Sequence, residues 1–532
     1  MKKISIVFIF ISLYVTNISC NSKQVVKVKP ELEMHLQGSI NFKSNIPFDS
    51  SEISAFYKLF PDLEKYANDV TSIYQRYNFR QIWFDENGVV EFGHSLFSKV
   101  NELDKEGIIS VFPYQQKIEG VFLDEIDNTL TNTETDLMLT NLFLFYAGKV
   151  YTGVDDKTST ALEWLLPRKE LSYENILDSV LLNPGLIQKD SLIMFKQYFK
   201  LRRVLQNYRA IEKNGGWKPI DIDPKVKSYK PGDTSKVIQQ IREHLFITGD
   251  IAENSFSNEY DDELVEVIKK YQLRHGKNQQ SAITPSLINE MNVPVEERIK
   301  KIVVNMERCR WISPEITKAQ ELIFVNIPSY MLYFNRNGER VLESPVVVGK
   351  SMSKTVVFSG NMSSVVFSPY WNVPNSIVEK EIKPGIKKDP NYLAKHNMEW
   401  NGGQVRQKPG KKNSLGQVKF LFPNSNNIYL HDTPSKSLFA KESRAFSHGC
   451  IRVAKPRDLA VKIFENNPEW TPDKIDAAMK SGNEKWASVK PKIPVYIGYF
   501  TAWVGENGDI NFYEDIYKRD ERLYDILVDA GK

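Results

Sequence analysis

The stretch Glu321-Leu322-Ile323-Phe324-Val325-Asn326-Ile327, followed by Tyr330-Met331-Leu332-Tyr333-Phe334, decides how the C-terminal part of this chain folds. Both runs are rich in β-branched and aromatic residues, which pack well on a pleated, half-buried surface. Asn337-Gly338 then supplies a dipeptide that tolerates positive φ, as a tight hairpin turn requires, and Val341-Leu342 and Val346-Val347-Val348 continue beyond it. Further strands are predicted at Val356-Val357-Phe358, Ser364-Val365-Val366-Phe367, Lys419-Phe420-Leu421-Phe422 and Asn427-Ile428-Tyr429-Leu430. A last hairpin is predicted from Ile493, turning near Asn507-Gly508. Short strands at this density predict a β-sandwich or barrel over residues 319–520. Between 376 and 412 the strand pattern lapses into a Lys-, Asn- and Gly-rich stretch with two predicted short helices. Long insertions of this kind in compact domains often act as lids.

Upstream, the pattern changes period. Ile53, Phe56, Tyr57 and Phe60 recur at helical spacing and Leu137 to Val150 is densely apolar, so residues 46–230 are predicted as a helical scaffold. Residues 234–292 carry Ile238, Ile241 and Leu245, then Leu264, Val267, Ile268 and Tyr271, then Pro285 to Asn289. This predicts a small three-helix unit with Gly249 and Gly276 as helix stops. A connecting helix over 293–318 leads into the strands. The fold class is therefore multidomain α+β, as 532 residues exceed what one hydrophobic core supports. A hydrophobic content of 41% with 26% charged residues fits folded globular domains. The net charge of +4 is nearly balanced and no basic stripe with interleaved aromatics occurs, which argues against a nucleic-acid partner.

Lys2 and Lys3 precede an apolar run from Ile4 to about Val15, too short to span a bilayer comfortably. Residues 1–20 read as an export signal, which places the mature chain in the periplasm or cell envelope. Ile18-Ser19-Cys20 resembles the end of a bacterial lipobox, with Asn17 a departure from the pattern. Lipidation of Cys20 would tether the protein to a membrane, with the polar residues 21–45 as a flexible leash. Ordinary secretion or an uncleaved anchor is the alternative.

The chain has three cysteines, Cys20, Cys309 and Cys450, and seven histidines. Cys309 ends a helix-like run and reads as a small core residue. Cys450 differs, because His431 and His448 flank it. A thiol is a poor nucleophile until it loses its proton, and an imidazole can take that proton and later protonate a leaving amine. A turn that glycine permits could offer the Gly449 and Cys450 main-chain N–H groups to a developing oxyanion. Tyr429 shares a strand face with His431 because side chains alternate. By spacing alone this remains one of several ways in which Cys and His can meet.

His431-Asp432-Thr433 followed by Ser447-His448-Gly449-Cys450-Ile451-Arg452 resembles the signature of the L,D-transpeptidase catalytic domain, the YkuD family. Val346 to Lys350, Pro369 to Pro374, Leu415-Gly416, Asn426 to His431 and Arg444 to Phe446 also resemble it. The order of helical body, three-helix unit and catalytic domain with an insertion is similar to that of its large multidomain members, and residues 234–292 resemble their peptidoglycan-binding domain. The resemblance implies Cys450 as nucleophile and His431 as its acid/base. It places Tyr429, His448 and Gly449 in the oxyanion and substrate region, with Arg452 as an anchor beside it and Ser447 bracing the turn. Asp432 either orients the imidazole or caps a turn, the second being preferred. The implied reaction joins peptidoglycan tetrapeptide stems as donor and acceptor in a 3→3 cross-link, with no cofactor or metal. Carbapenem-type inhibitors are then expected to acylate Cys450.

Other readings stay open at this point. An L,D-carboxypeptidase or a murein amidase would share the acyl-enzyme, and a wall-binding scaffold would not need it. A zinc site of His431, Asp432, His448 and Cys450 has legitimate ligand types in a spacing unlike the usual zinc patterns.

Overall fold

The computed structural model describes residues 46–529, save 124–125, 184, 187–192 and the side chain of residue 317. The predicted export signal, Cys20 and the leash over 21–45 lie outside the described residues. Within them the N-terminal region is helical and the C-terminal region is β-rich.

The predicted turn sets the sheet. Asn337 and Gly338 both have positive φ, 52° and 83°, and they join β2 (Met331–Arg336) to β3 (Glu339–Gly349), with Arg336 opposite Glu339. The remaining strands are β1 (Glu321–Asn326), β4 (Val357–Phe367), β5 (Val418–Leu421), β6 (Leu430–His431), β7 (Ile451–Val453) and β8 (Lys485–Gly498). Their order, β5-β6-β7-β3-β2-β1-β8-β4, returns to its start because β5 pairs with β4 as well as with β6. The sheet is therefore a closed barrel, which resolves the choice between sandwich and barrel and leaves few free edges. Alternate residues fill its interior: Val346, Val348, Val365, Phe367, Phe420, Leu430 and Ile451 are all fully buried in one cluster.

Two features of the helical region were not legible. Trp164–Leu165 forms a short strand that pairs in parallel with Val357–Phe358 of β4, so the helical body adds to the barrel's sheet. The separate cores expected for helical body and barrel are not found, because one continuous apolar cluster runs through both. The cause is α4 (Val295–Trp311), buried along its whole second half where it threads between them. Its charges have partners: Glu307 Oε1 accepts from Val154 N at 2.7 Å and Trp311 Nε1 at 2.9 Å, and Arg308 pairs with Asp520 at 2.7 Å. Gly153, at φ 71°, is required there, since a Cβ would lie 2.0 Å from Glu307 Oε1.

Residues 234–292 hold three helices, α1 (Lys236–Ile247), α2 (Asp262–Arg274) and α3 (Pro285–Met291), around their own apolar cluster. Residues 371–413 contain more structure than the two short helices expected. A near-continuous helical run from Asn375 to Lys388 and a short helix at Tyr392–Lys395 are joined by a hairpin of Met398–Asn401 and Gln404–Gln407. That hairpin pairs with Trp371–Asn372 and covers a small core of Val373, Ile377, Val378, Ile382 and Val405.

Candidate active site

Register brings the motif residues together. β6 and β7 run parallel, with Leu430 opposite Ile451 and His431 opposite Arg452. Laterally paired residues point to the same side of a sheet, and Leu430 and Ile451 point into the barrel. His431 and Arg452 therefore point outward. Tyr429 and Cys450, two residues before His431 and Arg452, share that outer face, and the Ile451 N–H donates to Tyr429 O at 3.2 Å. The Tyr429 and His431 rings lie 5.8 Å apart. The regular strand begins only at Leu430, later than predicted, because the Asn424 side chain organises residues 424–428 into a turn.

Both titratable partners rest uncharged. Burial, helped by the nearby Arg452 charge and opposed by Asp432, holds the His431 pKa at about 4. Burial also raises the Cys450 thiol, against the pull of hydrogen bonds from the Tyr429 main chain and hydroxyl and of Arg452. The thiol donates to Asn427 O at 3.8 Å. His431 Nδ1 lies 2.5 Å from the Asp432 carbonyl oxygen, which can only accept, so Nδ1 carries the proton and Nε2 keeps the basic lone pair. The Asp432 carboxylate works elsewhere: it accepts from Gln417 N, Thr433 N and Lys436 Nζ at 2.8, 2.7 and 2.5 Å. Its carbonyl orients the imidazole while its carboxylate builds the turn, against which Gly416, at φ 62°, leaves no room for a Cβ.

The turn itself corrects one expectation. The Gly449 N–H donates to Ser447 Oγ at 3.1 Å, and Ser447 Oγ donates to Cys450 O at 2.6 Å. Ser447 thus braces the turn and consumes the Gly449 amide, which is no oxyanion donor in this geometry. The Cys450 N–H has no acceptor among the described residues. It is the donor that the turn leaves available.

Residues 320–475 match the family model of the YkuD L,D-transpeptidase catalytic domain, and residues 68–205 match that of a scaffold domain. Residues 320–475 are thus similar to an L,D-transpeptidase catalytic domain. A relative from Haemophilus influenzae, named provisionally as an L,D-transpeptidase, is 36% identical over 42% of this chain and 49% of its own length. The chain thus spans about half the length of that curated relative. Among solved structures, an L,D-transpeptidase from Stackebrandtia nassauensis is 14% identical, covers 51% of this chain and 96% of its own, and has a TM-score of 0.21. L,D-transpeptidase 3 from Mycobacterium tuberculosis, solved with a faropenem-derived adduct, is 16% identical over 34% of this chain and 60% of its own, with a TM-score of 0.19.

In the barrel the other predicted residues take distinct places. Arg452 lies beside Cys450 and His431, and its Nε is buried with no partner among the described residues. His448 is half exposed and turns away from the barrel toward the insertion, where Glu381 Oε1 lies 3.5 Å from its Nε2. Trp371, shortly before the insertion, lies near Tyr429 and opposes the rise that burial imposes on its phenol. A groove of about 930 Å³ lined by Asn337, Trp470, Trp486 and Lys490 contains none of the motif residues. Sequence reasoning missed Thr355, which binds the Gly449 carbonyl behind the Cys450 turn, and Tyr517, which holds Thr355 in place. Neither belongs to a motif, and both are far from Cys450 in sequence.

Proposed function

We propose that the transpeptidase domain transfers the acyl group of a peptidoglycan tetrapeptide stem through a thioester on Cys450, forming 3→3 cross-links in cell-wall biogenesis. The observation that carries this reading is the common outer face of Cys450, His431, Tyr429 and Arg452, set by the parallel register of β6 and β7. His431 Nε2 takes the thiol proton as sulfur attacks the carbonyl of the stem's third residue. The same nitrogen gives that proton to the departing amine of the terminal D-Ala, leaving the thioester. The side-chain amine of an acceptor stem then attacks, the new amide forms, and the proton it sheds returns through His431 to the thiolate. The Cys450 N–H and the Tyr429 hydroxyl stabilise the oxyanion in each half. Arg452, with its Nε unpartnered, anchors a carboxylate of the stem.

Around this site the remaining parts have matching roles. The insertion, with Glu381 over His448, covers the bound stem, and the three-helix unit engages the wall. Export, with a lipid on Cys20, brings the enzyme to its polymer. A carbapenem acylates the same thiol, because its strained carbonyl resembles the donor amide. The test is mass spectrometry of products from purified protein and disaccharide-tetrapeptides. Cross-linked dimers are expected, and shortened monomers alone would replace transpeptidation by hydrolysis.

A further inference from the structure

We infer that Thr355 is a positioning residue for acyl transfer: it holds the Gly449–Cys450 peptide so that the Cys450 N–H points at the substrate carbonyl. The inference rests on the acyl-enzyme reading above and adds a group outside the family motif.

Thr355 is fully buried, and its Oγ1 lies 2.9 Å from Gly349 N and 2.8 Å from Gly449 O. An amide N–H only donates and a carbonyl only accepts, so the single hydroxyl proton is committed to Gly449 O. The hydroxyl cannot rotate away without leaving both partners unsatisfied. The Thr355 main chain is fixed as well, because its N–H donates to Tyr517 Oη at 3.0 Å and that phenol donates to Gly349 O at 2.6 Å. Gly349 closes the ring, since a Cβ there would lie 2.1 Å from Ser353 O and 2.7 Å from Thr355 N.

The consequence for the turn follows from peptide geometry. The Gly449–Cys450 bond is trans, so its C=O and N–H project to opposite sides of the chain. Pulling the carbonyl toward Thr355 aims the Cys450 N–H away from it, toward the outer face where the thiol lies. Gly449 adopts φ 116°, which L side chains rarely reach, so the peptide plane at this point needs both the glycine and an external hold. Ser447 O is held on the same side by Lys350 N at 3.0 Å and Ser353 Oγ at 3.2 Å. Residues 350–355 thus grip the carbonyls of the turn and leave the Cys450 amide to the substrate.

The experiment compares wild type, Thr355→Val and Thr355→Ser in acylation by imipenem. Limiting rate and apparent Kd are separated by varying inhibitor, and rates are normalised to titrated thiol and folded protein. Valine keeps the shape and deletes the hydroxyl, and serine keeps the hydroxyl. Thr355→Val is expected to lose roughly tenfold to a hundredfold in limiting rate, less than removal of an oxyanion donor itself, with Kd unchanged. Thr355→Ser is expected to stay within about threefold of wild type, since the carbonyl hold is restored. A Thr355→Val limiting rate equal to wild type would overturn the inference, as would equal losses in both variants. A wild-type protein that imipenem does not acylate would instead remove the acyl-enzyme reading itself.

Discussion

The segment ending at Cys309 and the segment ending at Cys450 bury a thiol in different ways. Burial raises both thiol pKa values, and arginines flank both: Arg308 and Arg310 in one case, Arg452 in the other. Cys309 sits on α4, where helical hydrogen bonding occupies the backbone and apolar packing closes off the side chain. Cys450 is partly exposed in a turn whose own N–H has no acceptor among the described residues, beside a strand that presents a neutral imidazole. Burial and nearby charge therefore do not distinguish the proposed nucleophile from a packed core thiol. What separates the two is an accessible face and a backbone donor left over by the local fold.

The largest effect expected from this comparison is on covalent labelling. Cys450→Ala should abolish the mass adduct formed with a carbapenem, whereas Cys309→Ser should label at a rate within about twofold of wild type. Adducts on Cys309 in the intact fold would break the comparison. Next, His431→Gln should slow acylation by roughly a hundredfold or more, because it removes the neutral imidazole on the thiol's face. The acid limb of the wild-type rate should fall near pH 4, since the His431 pKa is about 4 and the imidazole must be neutral to accept a proton. A midpoint near 6.5 in the pH–rate profile would show that the imidazole is not buried as described.

The smaller effects concern stability. His431, at about 4, and His244, at about 3, are neutral when folded, and burial holds His275 well below its ordinary value. In the unfolded chain each titrates near its ordinary value of 6.5. Between those limits the unfolded state binds the extra protons, so stability is fully present above pH 6.5 and is lost as pH falls. The slope is about 1.4 kcal/mol per pH unit for each such histidine. Urea unfolding at pH 7 and pH 5 measures it, and His244→Gln should flatten the slope by about one histidine's share. Least of all, Cys309→Ala should cost about 1 kcal/mol through lost packing, with no change in acylation rate.

The parts legible in the sequence were those written in local chemistry. Asn337-Gly338 named its turn, the runs around Ile323 and Leu332 named their strands, and Cys450 with His431 marked the candidate site. Barrel closure was not legible, because it depends on β5 pairing with two strands distant in sequence. The fusion of helical body and barrel was hidden in a two-residue strand, Trp164–Leu165, too short to leave a period. The motif marked Gly449 as part of an oxyanion turn, but not that Ser447 takes its amide, since a side-chain acceptor has no periodicity. Asp432 divides its carbonyl and carboxylate between imidazole and turn, a distinction carried by geometry alone.

The most direct test of the account is intact-protein mass spectrometry after incubation with a stem tetrapeptide, followed by peptide mapping. The account predicts a transient adduct lacking the terminal D-Ala, confined to the peptide containing Cys450 and absent from Cys450→Ala. A protein that cross-links or trims stems with no such adduct, or with the adduct on another residue, would contradict it.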